Sequence, residues 1–538
     1  MSGNRSSNKW TSGPAIVLYL AAAKLLLHLL TANRYGIFRD ELYYLACAER
    51  LDWGYVDQPP LIAFVAFITR NIFGDSLLGL RLLPAIAGAA LVWLTGKLAR
   101  EMGGGRFSQG LAALAVIAVP IYLVFHHWLT MNAFEPLIWM GAAWCVVRAI
   151  NTRNARYWLW FGVITGVGLE TKYSIVFFAF GIVAGLLLTE HRRVLKSKWI
   201  WLGALAAFMI FLPNLLWLVK HDFPFLELMR NIRESGRDVV RGPISFLADQ
   251  AFITNPLLFP LWAGGLIWLF FGKEGRRYRI FGWWYLVMLI TFIVLKGKNY
   301  YLAPAYPILL AAGAIAFERL TTKVQSPKSN VQGPLAVDRS SSPTVRKGVG
   351  WAWLKWAYLG AIILTAAALA PLSLPILSPE TYIRYQAALG FEPPKAEHQD
   401  TGPLPQHFAD EFGWEEMTRA VAEVYHKLSP EERAQTAIFA NNYGQAGAID
   451  FFGPKYGLPK AISNHQSYWL WGPRNYTGAI VIVLGSDGEG DREHFQTVEA
   501  AGRVYHPYSR RDEHFDIFLC RGLNQPLSAL WPSIKSWD

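Results

Sequence analysis

Residues 14–32, PAIVLYLAAAKLLLHLLTA, form an apolar block long enough to cross a lipid bilayer as one helix. Arg5 and Lys9 precede this block, as the basic residues of a secretory signal would. No small-residue cleavage site follows it, however, and many more apolar blocks do. We therefore interpret the block as an uncleaved first membrane span.

Apolar blocks of this kind recur along most of the chain. Hydrophobic residues make up 53% of the 538 residues, charged residues only 17%, and the mean hydropathy is +0.22. Soluble domains carry about 25% charged residues, so this composition argues against an ordinary cytosolic enzyme. Windows of about 20 residues predict about eleven transmembrane helices, at 14–32, 78–99, 109–125, 132–149, 157–171, 173–189, 199–219, 256–272, 280–296, 300–318 and 352–371.

The basic residues predict how these spans are oriented. Lys and Arg cluster in alternate short loops, near residues 97–106, 148–156, 192–198, 273–279 and 319–347. Short loops rich in Lys and Arg stay in the cytoplasm, so the N-terminus is predicted to be cytoplasmic. The net charge of +12 could indicate a nucleic-acid partner, but basic residues in short loops between apolar blocks argue against one. Three scattered cysteines are too few for a disulfide framework or a zinc site.

The same pattern divides the chain into four parts. Residues 1–320 are predicted to form a transmembrane module whose first outer loop is 33–77. Residues 321–350 lack hydrophobic periodicity and predict a cytoplasmic linker, followed by a last span at 351–371. Residues 372–538 are mixed in composition and predict a small soluble α/β domain on the outer side, with a helix at 414–427 and strands at 437–440 and 480–484.

The first outer loop places two adjacent carboxylates, Asp40 and Glu41, just beyond the first span. Desolvation there raises carboxylate basicity, so one of the two is a candidate general base near neutral pH. The alternative is that Asp40 caps a helix over 41–50, with Glu41 in its first turn. The two roles are compatible, because a capping contact also fixes the direction of a carboxylate.

The later outer turns bring further charged groups to the same level. Glu135 lies near the outer end of a span, where ionisable residues are costly and often functional. Lys172, Lys296 and Lys298 fall in two other outer turns, where a cation can hold a lipid phosphate group. Each of these residues has an alternative role at the interface, Glu135 reaching water and the lysines extending from helix ends.

Several short motifs together resemble a known family. They are Phe38-Arg-Asp40-Glu41 with Tyr44, Asp57-Gln58-Pro59-Pro60-Leu61, Thr171-Lys172-Tyr173 and Tyr301-Leu-Ala-Pro304-Ala-Tyr-Pro307. Over residues 15–320 the chain resembles polytopic glycosyltransferases of the GT-C fold. Within these it is similar to the branch that holds protein O-mannosyltransferases and lipid A aminoarabinose transferases.

The resemblance implies roles for individual residues. Asp40 matches the aspartate that activates the acceptor, and Glu41 stands beside it as the second predicted catalytic residue. The resemblance and the outer-turn positions together predict a set of substrate-binding residues, namely Tyr44, Asp57, Gln58, Asn132, Glu135, Lys172, Lys296, Lys298 and Tyr301. Two positions depart from the family pattern. Gln58 stands where many relatives have histidine or lysine, and Asn132 stands where many have aspartate, with Glu135 one turn on to replace the charge.

The resemblance implies a membrane glycosyltransferase of the cell envelope. It would move a sugar, with inversion, from a polyprenyl phosphate to an acceptor hydroxyl on the outer face of the inner membrane. The acceptor is a lipid, a glycan or a protein, and membrane lipids surround the chain. No residue cluster requires a metal, although some proteins with this fold use a divalent metal. The alternative functions are a polytopic transporter or lipid flippase, and a scaffold for envelope enzymes.

Overall fold

The computed structural model describes residues 9–323, 352–390, 397–398 and 400–538. The predicted linker 321–350 therefore lies outside the described residues, apart from its first three. The described chain consists of a bundle of apolar helices followed by a part that contains a five-stranded sheet. This arrangement confirms the predicted fold class, a multi-pass helical membrane protein with a small C-terminal α/β domain.

The helical bundle extends from residue 13 to residue 369. Its helices are α1 (Gly13–Thr31), α2 (Arg39–Ala48), α3 (Leu61–Phe73), α4 (Leu77–Glu101), α5 (Arg106–Ala118), α6 (Pro120–Phe125), α7 (Met131–Thr152), α8 (Tyr157–Leu169), α9 (Ile175–Leu187), α10 (Lys198–Lys220), α11 (Pro224–Ser235), α12 (Pro243–Ile253), α13 (Phe259–Phe271), α14 (Arg279–Val294), α15 (Tyr306–Lys323) and α16 (Ala352–Leu369).

Seven helices of the described chain are long and apolar enough to cross a membrane. Two bent pairs raise this number to nine if each pair is one span, and three shorter apolar helices of 13 residues lie beside them at 61–73, 106–118 and 157–169. The predicted number of about eleven spans therefore stays a prediction. The segment 109–125 is interrupted, because Pro120 ends α5 and starts α6.

The lipid-facing character of the bundle is evident in its outer helices. Only 22% of the apolar window of α10 and 6% of that of α16 is buried within the protein. Trp201 and Leu364 on these two helices are mostly exposed. Apolar surface of this extent is stable only against another apolar phase, so these faces fit the hydrocarbon of a bilayer.

The connections between helices are sorted to two ends of the bundle. At one end, which we call the carboxylate end, Leu61 donates its backbone N–H to Glu170 at 2.9 Å, and Lys172 reaches α7. At the other end Gly105 donates to Glu318 at 2.7 Å, and Tyr278 donates to Asn151 at 2.6 Å. The loops predicted to share one side of the membrane thus contact one another in the structure.

The C-terminal part contains one mixed sheet and several short helices. Its elements are α17 (Pro379–Leu389), α18 (Gln406–Ala409), α19 (Trp414–His426), α20 (Pro430–Gln435), β1 (Thr436–Ala440), α21 (Tyr443–Phe452), β2 (Ile462–Ser463), α22 (Gln466–Trp471), β3 (Ile480–Leu484), α23 (Asp491–His494), β4 (Phe495–Val504), β5 (Phe515–Leu523) and α24 (Leu527–Leu530). The strand order is β2-β1-β3-β5-β4. Pairing of β1 with β2 and β3 is parallel, and β5 pairs antiparallel with β3 and β4.

The predicted helix at 414–427 and both predicted strands are confirmed by α19, β1 and β3. All five residues of β3 are buried, as expected of a central strand with an uninterrupted apolar run.

The C-terminal part packs on the first loop rather than standing apart from the bundle. Leu42 and Cys47 of α2 share one buried hydrophobic cluster with Ile438 of β1 and Ile449 of α21. A Cβ at Gly447 of α21 would lie 3.0 Å from the backbone of Leu42, so glycine allows this close approach. The residues at the start of α2 are therefore positioned by the bundle and by the sheet-bearing part together.

Candidate functional site

Helix α2 begins directly before the two predicted catalytic carboxylates. Its first residue is Arg39, and Phe38 precedes it in an extended conformation. The Glu41 side chain, not that of Asp40, accepts the free backbone N–H of Phe38 at 2.9 Å. The alternative that Asp40 caps a helix over 41–50 is therefore wrong. Asp40 lies inside the first turn, where the three-residue spacing to the cap favours Glu41 for this contact.

Glu41 is fully buried and bound to several donors. Arg81 of α4 donates to both of its oxygens, at 3.3 Å to Oε1 and 3.1 Å to Oε2. The backbone N–H of Leu129 also donates to Oε1, at 2.9 Å. Arg81 is itself buried and binds Glu411 at 3.1 Å. The catalytic role predicted for Glu41 stays untested, and these contacts favour a role in holding α2 in place.

Asp40 is only half-buried and differs from Glu41 in its contacts. The Tyr443 hydroxyl, at the start of α21, donates to Asp40 Oδ1 at 2.9 Å. Oδ2 makes no hydrogen bond within the described residues and is not among the fully buried polar atoms, so it can accept a further hydrogen bond. Burial raises the pKa of Asp40, while Arg39, the Tyr443 hydrogen bond and Lys298 act in the opposite direction.

Asp57 is near Asp40 and, like it, has a carboxylate oxygen in contact with a tyrosine hydroxyl. The Tyr43 hydroxyl is 3.0 Å from Asp57 Oδ1 and 2.7 Å from Ser467 Oγ of α22. Burial raises the pKa of Asp57 to about 7. Asp57 thus exchanges its proton near neutral pH and can serve as a donor or an acceptor.

Tyr44 and Gln58 are buried more deeply than Asp57. Burial raises the pKa of the Tyr44 phenol, and the nearby carboxylates of Asp40 and Asp57 raise it further. The side-chain amide nitrogen of Gln58 lies 3.6 Å from Cys47 Sγ. The side-chain oxygen of Gln58, Oε1, has no hydrogen-bond partner among the described residues. The Pro59-Pro60 pair directly precedes α3.

Lys172 joins three of the predicted substrate-binding residues. Its ammonium donates to Asn132 Oδ1 at 2.7 Å and to Glu135 Oε2 at 3.0 Å. It also lies over the aromatic rings of Tyr300 and Tyr301, at 5.7 and 5.1 Å from their centroids. Glu135 thus places a carboxylate beside Asn132 at the same ammonium.

The remaining two lysines differ from each other. Lys298 pairs with Glu397 at 2.9 Å and with Asp238 at 3.0 Å. Burial alone would raise the pKa of Glu397, but Lys298 and Arg237 outweigh it and hold that pKa at about 2. Lys296 is exposed and does not take part in these ion pairs. The structure therefore brings Lys298 to the other charged groups and leaves Lys296 at the surface.

These contacts form one connected set at the carboxylate end. Lys298 and Glu397 are near enough to Asp40 to affect its pKa, and Asp40 in turn affects Asp57. Tyr300 connects Lys298 with Lys172. Proton-accepting and cationic groups thus face one region, as a reaction that moves a proton and releases an anion requires.

Sequence reasoning missed most residues that hold this set together. Arg81 had a signal, since a single arginine within an apolar span is costly and usually has a specific partner. Tyr443, Ser467 and Glu411 come from the C-terminal part, where no motif pointed to them.

No group of three or more His, Cys, Asp or Glu side chains within the described ranges is arranged to hold a metal ion.

A helical bundle with a small C-terminal sheet packed on the loops at one end is the GT-C type of fold, as the resemblance predicts.

The fold is similar to that of several solved structures. The chain matches ArnT from Cupriavidus metallidurans bound to undecaprenyl phosphate, with a TM-score of 0.60 and 14% identity over 94% of this chain and 97% of that one. At this identity the match establishes the fold alone.

The sequence comparisons agree with this fold. Residues 57–217 match the family model described as dolichyl-phosphate-mannose-protein mannosyltransferase. The lipid A galacturonosyltransferase RgtD of Rhizobium johnstonii is 26% identical over 297 residues, which is 54% of this chain and 61% of that protein. An undecaprenyl phosphate-alpha-4-amino-4-deoxy-L-arabinose arabinosyl transferase of Pseudomonas fluorescens is 24% identical over 48% of each chain. The matched regions thus span about half to three-fifths of these relatives.

Proposed function

We propose that this protein is a membrane glycosyltransferase that moves a sugar from a polyprenyl phosphate to an acceptor hydroxyl. The single observation that carries the proposal is the Asp40 carboxylate, with one oxygen held by Tyr443 and the other open, within electrostatic reach of Lys298. The similar proteins named above support the donor class, since two of them are named for a sugar transfer and one was solved with undecaprenyl phosphate.

In the proposed reaction Asp40 is the general base. Its carboxylate takes the proton of the acceptor hydroxyl as the hydroxyl oxygen bonds to the anomeric carbon of the sugar. The bond between that carbon and the phosphate oxygen breaks on the opposite face, so the configuration inverts. The electron pair leaves with the polyprenyl phosphate, and the proton stays on Asp40 until solvent removes it.

Lys172 is the cation that we assign to the leaving phosphate. It is paired with one carboxylate, Glu135, whereas Lys298 is paired with two. A cation with fewer fixed counter-charges gains more from an arriving phosphate, which makes Lys172 the stronger candidate. Asn132 and Glu135 would hold its ammonium in position.

The orientation also belongs to the proposal. We place the carboxylate end on the outer side of the inner membrane and the opposite, lysine- and arginine-rich loops in the cytoplasm. Lys and Arg are concentrated in the short loops at the opposite end, and short loops rich in these residues stay in the cytoplasm. A donor on a polyprenyl phosphate suits an outer site, where nucleotide sugars are absent. The sugar that it transfers would be a hexose or a pentose.

The test measures transfer of labelled sugar from a polyprenyl phosphate in membranes that carry equal amounts of each variant. Asp40→Asn is expected to lower the rate about 10²- to 10⁴-fold, the range of a general base. The matched control is Asp75→Asn in the same loop, an exposed aspartate paired with Arg70 at 2.7 Å. Transfer by Asp40→Asn at the rate of Asp75→Asn would remove the base assignment, and absence of any transfer by the unaltered protein would remove the function.

The role of Lys172 is tested with the same substrate. Lys172→Ala should weaken use of the donor, and the effect should exceed that of Lys298→Ala. Lys220→Ala, an exposed lysine at the end of α10, is the control. Donor kinetics of Lys172→Ala equal to those of Lys220→Ala would return Lys172 to an interfacial role.

A further inference from the structure

The start of helix α21 touches the proposed base from the C-terminal part of the chain. Asn442 caps this helix by accepting the N–H of Gln445 at 3.0 Å. Tyr443 follows as the first helical residue and points its hydroxyl at Asp40 Oδ1, 2.9 Å away. The contact joins residues 403 positions apart, so it exists only while the C-terminal part is docked on α2.

The Tyr443 ring is fixed on several sides. The Arg39 guanidinium lies 4.5 Å above its centroid, and the His465 ring stacks on it at 5.1 Å with the planes 9° apart. The Tyr43 ring lies 4.7 Å away. The Tyr443 backbone N–H donates to His465 Nδ1 at 3.2 Å. A ring held in this way cannot swing aside for a substrate, so it acts as a fixed support.

We propose that Tyr443 is a positioning residue for Asp40, which makes the C-terminal part a structural component of the catalytic site. This inference rests on the proposed function. By occupying Oδ1, the Tyr443 hydroxyl sets the rotation of the carboxylate and leaves Oδ2 for the acceptor hydroxyl. A base held within hydrogen-bond reach of its substrate is more effective than one that rotates freely.

Docking of α21 at this distance depends on two glycines. A Cβ at Gly444 would lie 2.7 Å from Cγ of Arg39, and one at Gly447 would lie 3.0 Å from Leu42. Both are tighter than an ordinary side-chain contact, so larger residues would push α21 away from α2. The sequence Asn442-Tyr443-Gly444 thus carries the cap, the positioning hydroxyl and the space for Arg39.

The surroundings of Asp40 predict how loss of this contact changes its titration. Arg39 and Lys298 favour the charged form of Asp40, and Glu397, Asp57 and Asp410 lie close enough to disfavour it. The Tyr443 hydroxyl donates to the charged form and lowers the pKa of Asp40. Tyr443→Phe removes that hydrogen bond alone, so the pKa of Asp40 should rise.

The test compares the pH dependence of sugar transfer by the full-length protein and by Tyr443→Phe in membranes. We expect the acidic limb of the rate profile to move to higher pH by on the order of one unit. The matched control is Tyr468→Phe, which removes the hydroxyl that donates to buried Asp450 at 3.0 Å in the same part of the chain. The control should leave the limb in place.

An unmoved limb with an equal loss of rate at every pH would overturn the proposal and leave Tyr443 with a packing role. A faster Tyr443→Phe enzyme would also overturn it, because Tyr443 would then obstruct the acceptor.

A second measurement needs no sugar transfer, which separates this inference from the proposed function. Carbodiimide with glycine ethyl ester modifies accessible carboxyl groups, and peptide mass spectrometry quantifies the product at Asp40. Tyr443→Phe should increase the modification of Asp40 relative to the unaltered protein and to Tyr468→Phe. If Asp40 is modified more in Tyr443→Phe but the unaltered protein transfers no sugar, the contact between Tyr443 and Asp40 is supported and the proposed function is refuted. Unchanged modification would refute the positioning role even if transfer is found.

Discussion

Replacing Arg81 by methionine should release the first loop from the C-terminal part. The Arg81 guanidinium is buried, donates to Glu41 and Glu411, and also donates to the backbone oxygens of Ala32 at 2.9 Å and Gly36 at 2.8 Å. Without it, Glu41 loses its counter-charge, and Glu411 and two backbone oxygens lose a donor inside the protein. Breaking one buried ion pair from one side costs about 3–5 kcal/mol.

That free energy predicts a measurable change in local opening. At about 1.4 kcal/mol per factor of ten, Arg81→Met should raise the open population of this interface by roughly two to three and a half orders of magnitude. Hydrogen exchange reports it directly, because the N–H groups of Phe38 and Leu129 are bound by Glu41. Peptides over 38–48 and around 129 should exchange faster by about that factor in the purified protein.

The control and the rescue make this prediction refutable. Arg70→Met removes ion pairs of a partly exposed arginine, worth at most about 1 kcal/mol. The triple variant Arg81→Met/Glu41→Gln/Glu411→Gln leaves no uncompensated charge and should recover part of the protection. Exchange in Arg81→Met no faster than in Arg70→Met would refute the reasoning, as would a triple variant less protected than Arg81→Met.

Three further predictions concern pH, packing and orientation. Burial raises the pKa of Glu411 from 4.5 to about 8, so between these pH values the folded protein keeps a proton that the unfolded chain loses. The free energy of unfolding should therefore fall as the pH rises from about 5 to 8. Thermal unfolding should show a smaller fall for Glu411→Gln. Gly447→Ala should cost about 1–3 kcal/mol by overpacking against Leu42, whereas Gly490→Ala, where a Cβ meets open space, should be near neutral in the same measurement. The three native cysteines are buried, so they should not react with an impermeant maleimide. Added to intact cells, the maleimide should label Asp487→Cys, and it should label Arg193→Cys only after permeabilisation. The reverse pattern would contradict the proposed orientation.

Periodicity and composition predict the long membrane helices and little of their irregularity. Helices α1, α4 and α10 coincide with predicted spans within a few residues, because each is at least 19 residues long and predominantly apolar. The bend of 111° after α9 is different. It falls between residues 187 and 190, and the apolar composition of residues 173–189 carries no sign of it.

The difference between Asp40 and Glu41 shows what a local motif leaves undetermined. Adjacent residues on a helix point about 100° apart, so one can face the interior while the other faces an opening. Which does so depends on where Arg81 and Tyr443 lie, and both are distant in sequence. The motif therefore locates the site on α2 but does not choose between its two carboxylates.

Among the predicted site carboxylates, Glu41 and Glu135 are each held by donors on both oxygens, which leaves Asp40 and Asp57 to compare as bases. Asp40 and Asp57 each have one oxygen near a tyrosine hydroxyl. Burial raises the pKa of both carboxylates, that of Asp57 to about 7, and a pKa near the working pH suits a general base. Asp40 has two cations, Arg39 and Lys298, that favour its charged form. Charge distribution around the pair thus favours Asp40 as the base and Asp57 as a hydrogen-bonding partner of the sugar, and Asp57→Asn should impair binding more than the chemical step.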